Sequence, residues 1–264
     1  MSDRDGWIGG AMYEDFMGRW SRLLAPKFVS WLGVPSGSHW LDVGCGTGAL
    51  TEAICNCASP GSVLGCDPST QFVEYARRQS QNKLASFVVA GTGSLPRRQG
   101  GFDSVSSLLA LNFFQDHLAS VREMRSLVHQ GGVVSACVWD YAGRMEFLRY
   151  FWDAVIAEDP HARDQDEGVR FPICNSGLLM QLFNDAGFVD MTCEAMDIST
   201  KFKSFDDYWR PLLAGTGPAA AYVASLDEDR RNSLASILEE KLPQDEEGMI
   251  NLIARAWAVR GKVS

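Results

Sequence analysis

The sequence predicts an α/β fold built on a doubly wound sheet, and three observations carry that prediction. Trp40, Leu41 and Val43 form a short apolar strand, glycines at 44, 46 and 48 turn the chain, and Ala49, Leu50, Ala53 and Ile54 open a helical apolar pattern. Further short apolar runs then alternate with segments of helical period as far as residue 198. A last apolar run, Ile250 to Val259, follows a helical stretch and completes a set of seven strands. A strand, a glycine turn and a helix N-terminus together describe the first βα unit of a nucleotide-binding domain.

The stretch Trp40 to Leu50 reads WLDVGCGTGAL and admits two kinds of ligand. Gly44, Gly46 and Ala49 satisfy the dinucleotide pattern G-x-G-x-x-G/A, and Asp67 lies about 20 residues on, where a ribose hydroxyl needs an acceptor. Charge opposes a dinucleotide. The strand ends in Asp42, and no Lys or Arg occurs from Phe28 through Ala76, so a pyrophosphate would meet an acidic loop. S-adenosylmethionine has no phosphate and carries a sulfonium and an ammonium, which suit an acidic strand end. An NAD-dependent oxidoreductase thus fits the glycine spacing but not the charge.

Several stretches, in order, are similar to a known family. DVGCGTG resembles motif I of the class I S-adenosylmethionine-dependent methyltransferases. GCDPS (Gly65 to Ser69) resembles the family's acidic strand end, which holds the ribose. Leu95–Pro96 followed by FDSV (Phe102 to Val105) resembles the segment after the adenine pocket, and REMRSLVHQGG (Arg122 to Gly132) the helix and turn before the fifth strand. The resemblance spans residues 12 to 188, and the leading YEDFMGRWS segment is similar to the small-molecule, UbiE/type 11-like branch. It implies a Rossmann-like, seven-stranded, mostly parallel sheet with a last antiparallel strand and a helical lid. It also implies S-adenosyl-L-methionine as cofactor, S-adenosyl-L-homocysteine as product and no metal.

Taken in order, residues 11 to 32 read as a helix within an N-terminal cap region (1–35), with Phe16, Trp20, Leu23, Leu24, Phe28 and Trp31 at helical spacing. The resemblance sets Tyr13, Arg19 and Trp20 over the cofactor's methionine end. Arg19 either pairs with its carboxylate or is a solvated surface residue. In the glycine turn, Gly44, Cys45, Gly46 and Gly48 bring backbone close to the cofactor, and Asp42 orients the loop and favours the ammonium. The second strand, Val63 to Cys66, ends at Asp67, which either caps the helix from Pro68 or accepts the ribose hydroxyls, with Ser69 able to take part of the capping.

The third strand is Ala85 to Val89. Five residues before Pro96 the family usually carries an aspartate for the adenine amino group; this chain has Gly91, and Thr92 is the partial substitute. The fourth strand, Ser104 to Leu109, should face the transferring methyl, which makes Asn112 and Phe113 candidates to line the sulfonium. His117 is either a surface or capping residue or a general base. The fifth strand, Gly132 to Trp139, ends in Asp140 and Tyr141 on the substrate side, where Asp140 either accepts a proton or caps the next helix.

Beyond Tyr141 the pattern is helical and then irregular to residue 172. A helix at Gly177 to Ala186, with Gly187–Phe188 as its stop, precedes a sixth strand at Met191 to Ile198. The insertions at 142–172 and 204–243 are where a substrate lid would be built, with Phe171, Tyr208 and Trp209 lining an apolar pocket and Arg170 or Arg210 meeting an anionic group.

Composition bounds the rest. With 264 residues and 46% hydrophobic content, a single methyltransferase domain over 1–264 has an ample core. A net charge of −9 disfavours a nucleic-acid phosphate track. No apolar run is long enough for a membrane span and no signal-peptide pattern opens the chain, so a cytoplasmic protein is expected. The seven cysteines lack metal or disulfide spacing and read as reduced thiols. The expected reaction is methyl transfer to a small-molecule acceptor by in-line displacement at the sulfonium (the EC 2.1.1 class). The alternative is a methyltransferase-like protein that binds the cofactor without transferring methyl, which Gly91 mildly favours.

Overall fold

The computed structural model describes residues 13–213 and 217–264. The first twelve residues of the expected cap region, and residues 214–216 of the second expected insertion, lie outside the described residues. A π turn (Glu14–Gly18) leads into α1 (Arg19–Leu32), so the N-terminal helix is two pieces rather than one. Then follow β1 (His39–Val43), α2 (Ala49–Cys57), β2 (Ser62–Asp67), α3 (Thr70–Gln79), β3 (Ala85–Val89), β4 (Phe102–Leu108), a 3₁₀ turn (Leu111–Phe113), α4 (His117–Ser126) and β5 (Val128–Trp139). The second half has α5 (Glu146–Glu158), a 3₁₀ segment (Pro160–Gln165), α6 (Glu167–Arg170), α7 (Ser176–Asp185) and β6 (Val189–Phe202). It ends with α8 (Phe205–Leu213), α9 (Pro218–Ser225), α10 (Glu228–Lys241) and β7 (Ile250–Lys262).

The seven strands form one sheet in the order β3-β2-β1-β4-β5-β7-β6. Strands β1 to β5 pair in parallel, with Asp42 opposite Gly65 of β2 on one side and Ser106 of β4 on the other. The last strand, β7, is antiparallel to both of its neighbours, so β6 runs parallel to β1–β5. Gly131 and Gly132 exchange backbone bonds with Val263, while Asp140 pairs with Arg255, so β7 runs against β5. Lys262–Asp190, Arg260–Thr192 and Arg255–Asp197 bonds then run β6 against β7. These three late strands are longer than their apolar runs predict. Cross-strand polar pairs extend them beyond the apolar residues that the sequence pattern counts.

The chain divides into two compact units. The first comprises Gly18–Val138, Asn175–Met196 and Trp257–Ser264; the second comprises Trp139–Cys174, Asp197–Ala256 and the chain up to Met17. In the first, Leu24, Phe28, Trp40, Leu41, Ile54, Val63 and Val105 are buried in the core. The C-terminus of α1 is tied down by Arg260, whose Nη1 donates to the carbonyls of Trp31 (2.7 Å) and Leu32 (2.9 Å) while its guanidinium lies over the Trp31 ring.

The second unit is mostly helical: α5 is the helix expected after Tyr141, and the stretch to residue 172 that the sequence pattern left irregular is the 3₁₀ segment and α6. Phe151, Trp152 and Tyr222 pack edge to face and tilted. Glu167 is buried beneath them, accepting the Nε1–H of Trp152. Burial pushes its carboxyl up to about 7, against the smaller opposing effects of its hydrogen bonds. The unfolded chain ionises this group near its ordinary value, so the folded state binds more protons between that value and about pH 7, and stability falls as pH rises through this window. Thermal unfolding of the ligand-free protein should show a lower midpoint at pH 8 than at pH 5. Glu167→Gln, which keeps an acceptor for Trp152, should reduce that difference; an unchanged pH slope would refute the assignment.

Candidate active site at the glycine loop

The carboxyl ends of β1, β2 and β4 carry the chemistry-bearing residues of the first unit. Backbone donors hold the loop to β2: Gly44 and Cys45 N–H both donate to the Cys66 carbonyl, at 2.8 and 3.0 Å. Asp67 completes the tie. Its Oδ2 accepts from Gly46 N–H (3.0 Å) and its Oδ1 from Ser69 N–H (2.8 Å). The N-cap of α3 is Ser69, whose hydroxyl accepts from Phe72 N–H, so Asp67 is not the capping residue and its oxygens tie the loop instead. Each carboxylate oxygen retains a lone pair for a further donor. Asp67 is almost fully buried, and desolvation raises its pKa despite these hydrogen bonds.

Asp42 lies deeper and is fully buried. Thr51 Oγ1 donates to its Oδ2 at 2.7 Å, and Oδ1 has no hydrogen-bond partner among the described residues. Burial pushes this carboxyl up to about 7, with the Asp67 charge adding to the effect and hydrogen bonds from Thr51 opposing it. The neighbouring thiols Cys45 and Cys66 are buried among these carboxylates, and both are raised, Cys66 to about 12, so neither is a thiolate at neutral pH.

The glycines differ in why they are glycine. A Cβ on Gly44 would lie 2.5 Å from the Cβ of Ala110 and 3.8 Å from the Phe114 ring. The segment after β4 therefore folds directly over the loop. Gly46, at φ +51°, faces open space. Leu109, the residue just past β4, holds φ +60°, a left-handed conformation unusual for leucine, and its N–H donates to the Cys137 carbonyl at 2.7 Å. Asn112, on the 3₁₀ turn, is only 5% exposed, yet neither end of its carboxamide has a hydrogen-bond partner among the described residues. Phe113 beside it is half-buried. After β3, a Cβ at Gly91 would meet Pro68 at 3.3 Å, and the following turn with Thr92 is held by Glu123, which accepts from Gly93 N–H (2.6 Å) and Leu95 N–H (3.0 Å).

Comparison with known proteins shows what kind of domain carries this loop. Residues 41–136, which contain all of these strand ends, match the family model for a methyltransferase domain. The demethylmenaquinone methyltransferase of Staphylococcus aureus is 26% identical over 172 residues, 61% of this chain and 71% of that protein. The chain is a class I S-adenosylmethionine-dependent methyltransferase. The matches support a UbiE/type 11-like branch. Solved structures share the fold. A chain of the complex between the Haloferax volcanii Trm112 methyltransferase activator and a methyltransferase superposes with a TM-score of 0.60 at 17% identity, over 97% of this chain and 94% of that one. Haemonchus contortus phosphoethanolamine N-methyltransferase 2 in complex with S-adenosyl-L-methionine gives 0.57 at 15% identity, over 97% and 57%.

The remaining sequence-predicted residues of the methyltransferase fall elsewhere. Arg19 opens α1, its guanidinium 4.3 Å from the Trp20 ring centroid. His117 is the first residue of α4, and the cap is Asp116, which accepts from Ala119 N–H at 2.9 Å; His117 is therefore not the capping residue. In the second unit, Tyr13 is half-buried and helical. Asp140 forms the turn ahead of α5, its Oδ2 accepting from Arg144 N–H at 3.0 Å and its carboxylate filling the space a Gly143 side chain would need. Tyr141 packs on Phe171, Trp209 stacks on Phe205, and Arg210 is exposed. Tyr208 is a correction: it is buried with its hydroxyl donated to the Phe147 carbonyl, a core residue rather than a pocket wall.

Thr51 and Glu123 went unread in the sequence. Their roles exist only through partners 9 and 28 to 30 residues away; Thr51 stands just past the glycine motif, and the resemblance of Arg122 to Gly132 says nothing of what Glu123 binds. Gly44→Ala should cost roughly 2–5 kcal/mol, because a steric overlap adds to left-handed backbone strain, whereas Gly46→Ala should cost only the strain, about 1–2 kcal/mol. Equilibrium denaturation of both variants checks this, and equal losses would show that the contact with Ala110 does not limit the loop.

Proposed function

We propose that this methyltransferase transfers a methyl group to a small-molecule acceptor, with the cofactor held across the carboxyl ends of β1, β2 and β4. The observation that carries the reading is the charge of the loop: two buried carboxylates, Asp42 and Asp67, and no cation between Phe28 and Ala76. That arrangement suits a cationic ligand and disfavours a pyrophosphate. S-adenosylmethionine, when bound, supplies a methyl already activated on a sulfonium. Gly46, which faces open space, gives it backbone room, while the spaces at Gly44 and Gly48 are taken by Ala110 and by Ala76 and Phe87; Asp67 takes the ribose hydroxyls with its remaining lone pairs, and Asp42 favours the ammonium end. Arg19, Cys45, Pro68, Ser69, Gly91, Thr92 and Phe113 belong to the same proposed cofactor surface, and Tyr13 is a further cofactor candidate through the family resemblance.

The chain's contribution to the transfer is alignment of the reactants and exclusion of water. Asp140, Tyr141 and His117 remain the candidates for moving an acceptor proton, and the helical insertions at 142–172 and 204–243, with Phe171, Trp209 and Arg210, the candidates for holding the acceptor. The S. aureus relative is a demethylmenaquinone methyltransferase, which supports a small-molecule acceptor over a macromolecule.

Calorimetric titration with S-adenosylmethionine, S-adenosylhomocysteine and NAD tests the reading. The first two should bind saturably and NAD should not, and Asp67→Asn, which preserves shape, should weaken both by about tenfold or more through loss of charged hydrogen bonds. A cation bound near Asp42 favours its ionised form, so binding releases the proton this carboxyl carries below about pH 7. Affinity should therefore rise as pH increases from 6 towards 7 and level off above it. Asp42→Asn should remove that dependence. A flat profile in the parent protein would exclude Asp42 from the cationic end.

A further inference from the structure

We infer that the first helical insertion carries a binding site of its own for a small amino-acid-like zwitterion, a molecule with a carboxylate and an ammonium on an apolar body. The inference does not rest on the proposed cofactor site, because every residue it uses lies between Ala142 and Val169.

The site is a cavity of about 590 Å³ between α5 and the 3₁₀ segment and α6 that follow it, a size that suits a small ligand. Arg149, Asp153 and Ile156 stand at i, i+4 and i+7 on α5, so they share one face of the helix. Arg163 of the 3₁₀ segment and Gly168 and Val169 of α6 line the cavity from the other side.

Its cationic part is held in place before any ligand arrives. Nη2 of Arg149 donates to Asp166 Oδ2 at 2.7 Å, while Asp166 Oδ1 accepts from Gly168 N–H at 2.8 Å. Asp166 is buried and is the N-cap of α6, so the guanidinium is fixed to backbone through it. Gly168 is glycine for space. A Cβ there would lie 2.9 Å from the Ala142 Cα and 3.2 Å from Arg149 Nη1. That Nη1 has no hydrogen-bond partner among the described residues, and it keeps surface open to solvent where Nε of the same side chain is sealed. Arg163 is exposed and adds a second guanidinium without an ion-pair partner among the described residues.

Two arginines alone would suit any anion, and Asp153 narrows the choice. Its carboxylate lines the same cavity yet pairs with neither Arg149, one turn before it, nor Arg163. A phosphate or dicarboxylate would be repelled by Asp153, and a plain amine by the arginines. A zwitterion meets both signs, with its carboxylate on Arg149 and Arg163 and its ammonium on Asp153. Half-buried Ile156 and exposed Val169 offer apolar surface to the body of the ligand.

Calorimetric titration with L-phenylalanine, hydrocinnamate and phenethylamine tests this, because the second lacks the ammonium and the third lacks the carboxylate. L-Phenylalanine should bind saturably and about fivefold more tightly than either fragment. Arg163→Gln should weaken L-phenylalanine and hydrocinnamate about fivefold and leave phenethylamine unchanged or tighter. Asp153→Asn should weaken L-phenylalanine by about the same factor and leave hydrocinnamate unchanged or tighter. Both positions are exposed, so the thermal midpoint of each variant should match the parent. A parent that does not bind L-phenylalanine, or equal affinities in the parent and both variants, would overturn the inference. Asp67→Asn should leave L-phenylalanine binding intact, so this site and the cofactor site fail or stand separately. Mass spectrometry after incubation with S-adenosylmethionine then separates two sources of the same chemistry: a methylated product marks the ligand as an acceptor, and binding without one marks it as an effector.

Discussion

The arrangement of the strand ends depends on one absent atom. Gly44 has no Cβ, and the methyl of Ala110 occupies the space it would fill. That contact lets the chain leaving β4 lie on the loop leaving β1, although the two are separated by more than sixty residues in sequence. Any side chain at 44 would push the β4 exit outward and take the 3₁₀ turn with it. The loop is fixed from the other flank by Asp67, whose two oxygens are bonded to Gly46 and Ser69. One steric and one electrostatic constraint thus define a backbone surface before any ligand arrives, which is the preorganisation that binding a flexible cofactor requires.

The same surface stores electrostatic cost. Asp42 and Asp67 are both buried and both raised, Asp42 mainly by desolvation and partly by its neighbour's charge. Thr51 satisfies one oxygen of Asp42 and leaves the other open. Two carboxylates in such a place are a poor way to stabilise a fold. They are a good way to make a site whose energy improves when a cation enters.

The seven strands were legible because their apolar runs and glycine punctuation are local signals, and β3 coincides with its predicted span, Ala85 to Val89. The late strands β5, β6 and β7 were read short. Their extensions are built from residues such as Asp190, Arg260 and Lys262, which reveal themselves as strand only through their cross-strand partners. The site divides along the same line. Asp42, the glycines and Asp67 stand in contiguous motifs, so sequence order alone singles them out. Thr51 and Glu123 act through residues distant in the chain. At Asn112 the position after β4 was readable, while the unpartnered state of its amide is a fact about packing that no spacing encodes.

The distribution of polarity around the loop has a consequence for the proposed chemistry. Positive charge leaves the sulfonium as the methyl moves, so an interaction that holds this cation strongly stabilises the ground state more than the transition state and slows transfer. A carboxylate against the sulfonium would do that. This chain sets its carboxylates at the ends of β1 and β2 and gives the end of β4 only the neutral amide of Asn112. In the proposed binding mode, affinity would come from the ribose and ammonium ends, which do not change charge in the reaction, and no charged group would hold the reacting centre. On this argument the absence of charge from Ser104 to Gln115 is as much a part of the site as the acids at 42 and 67.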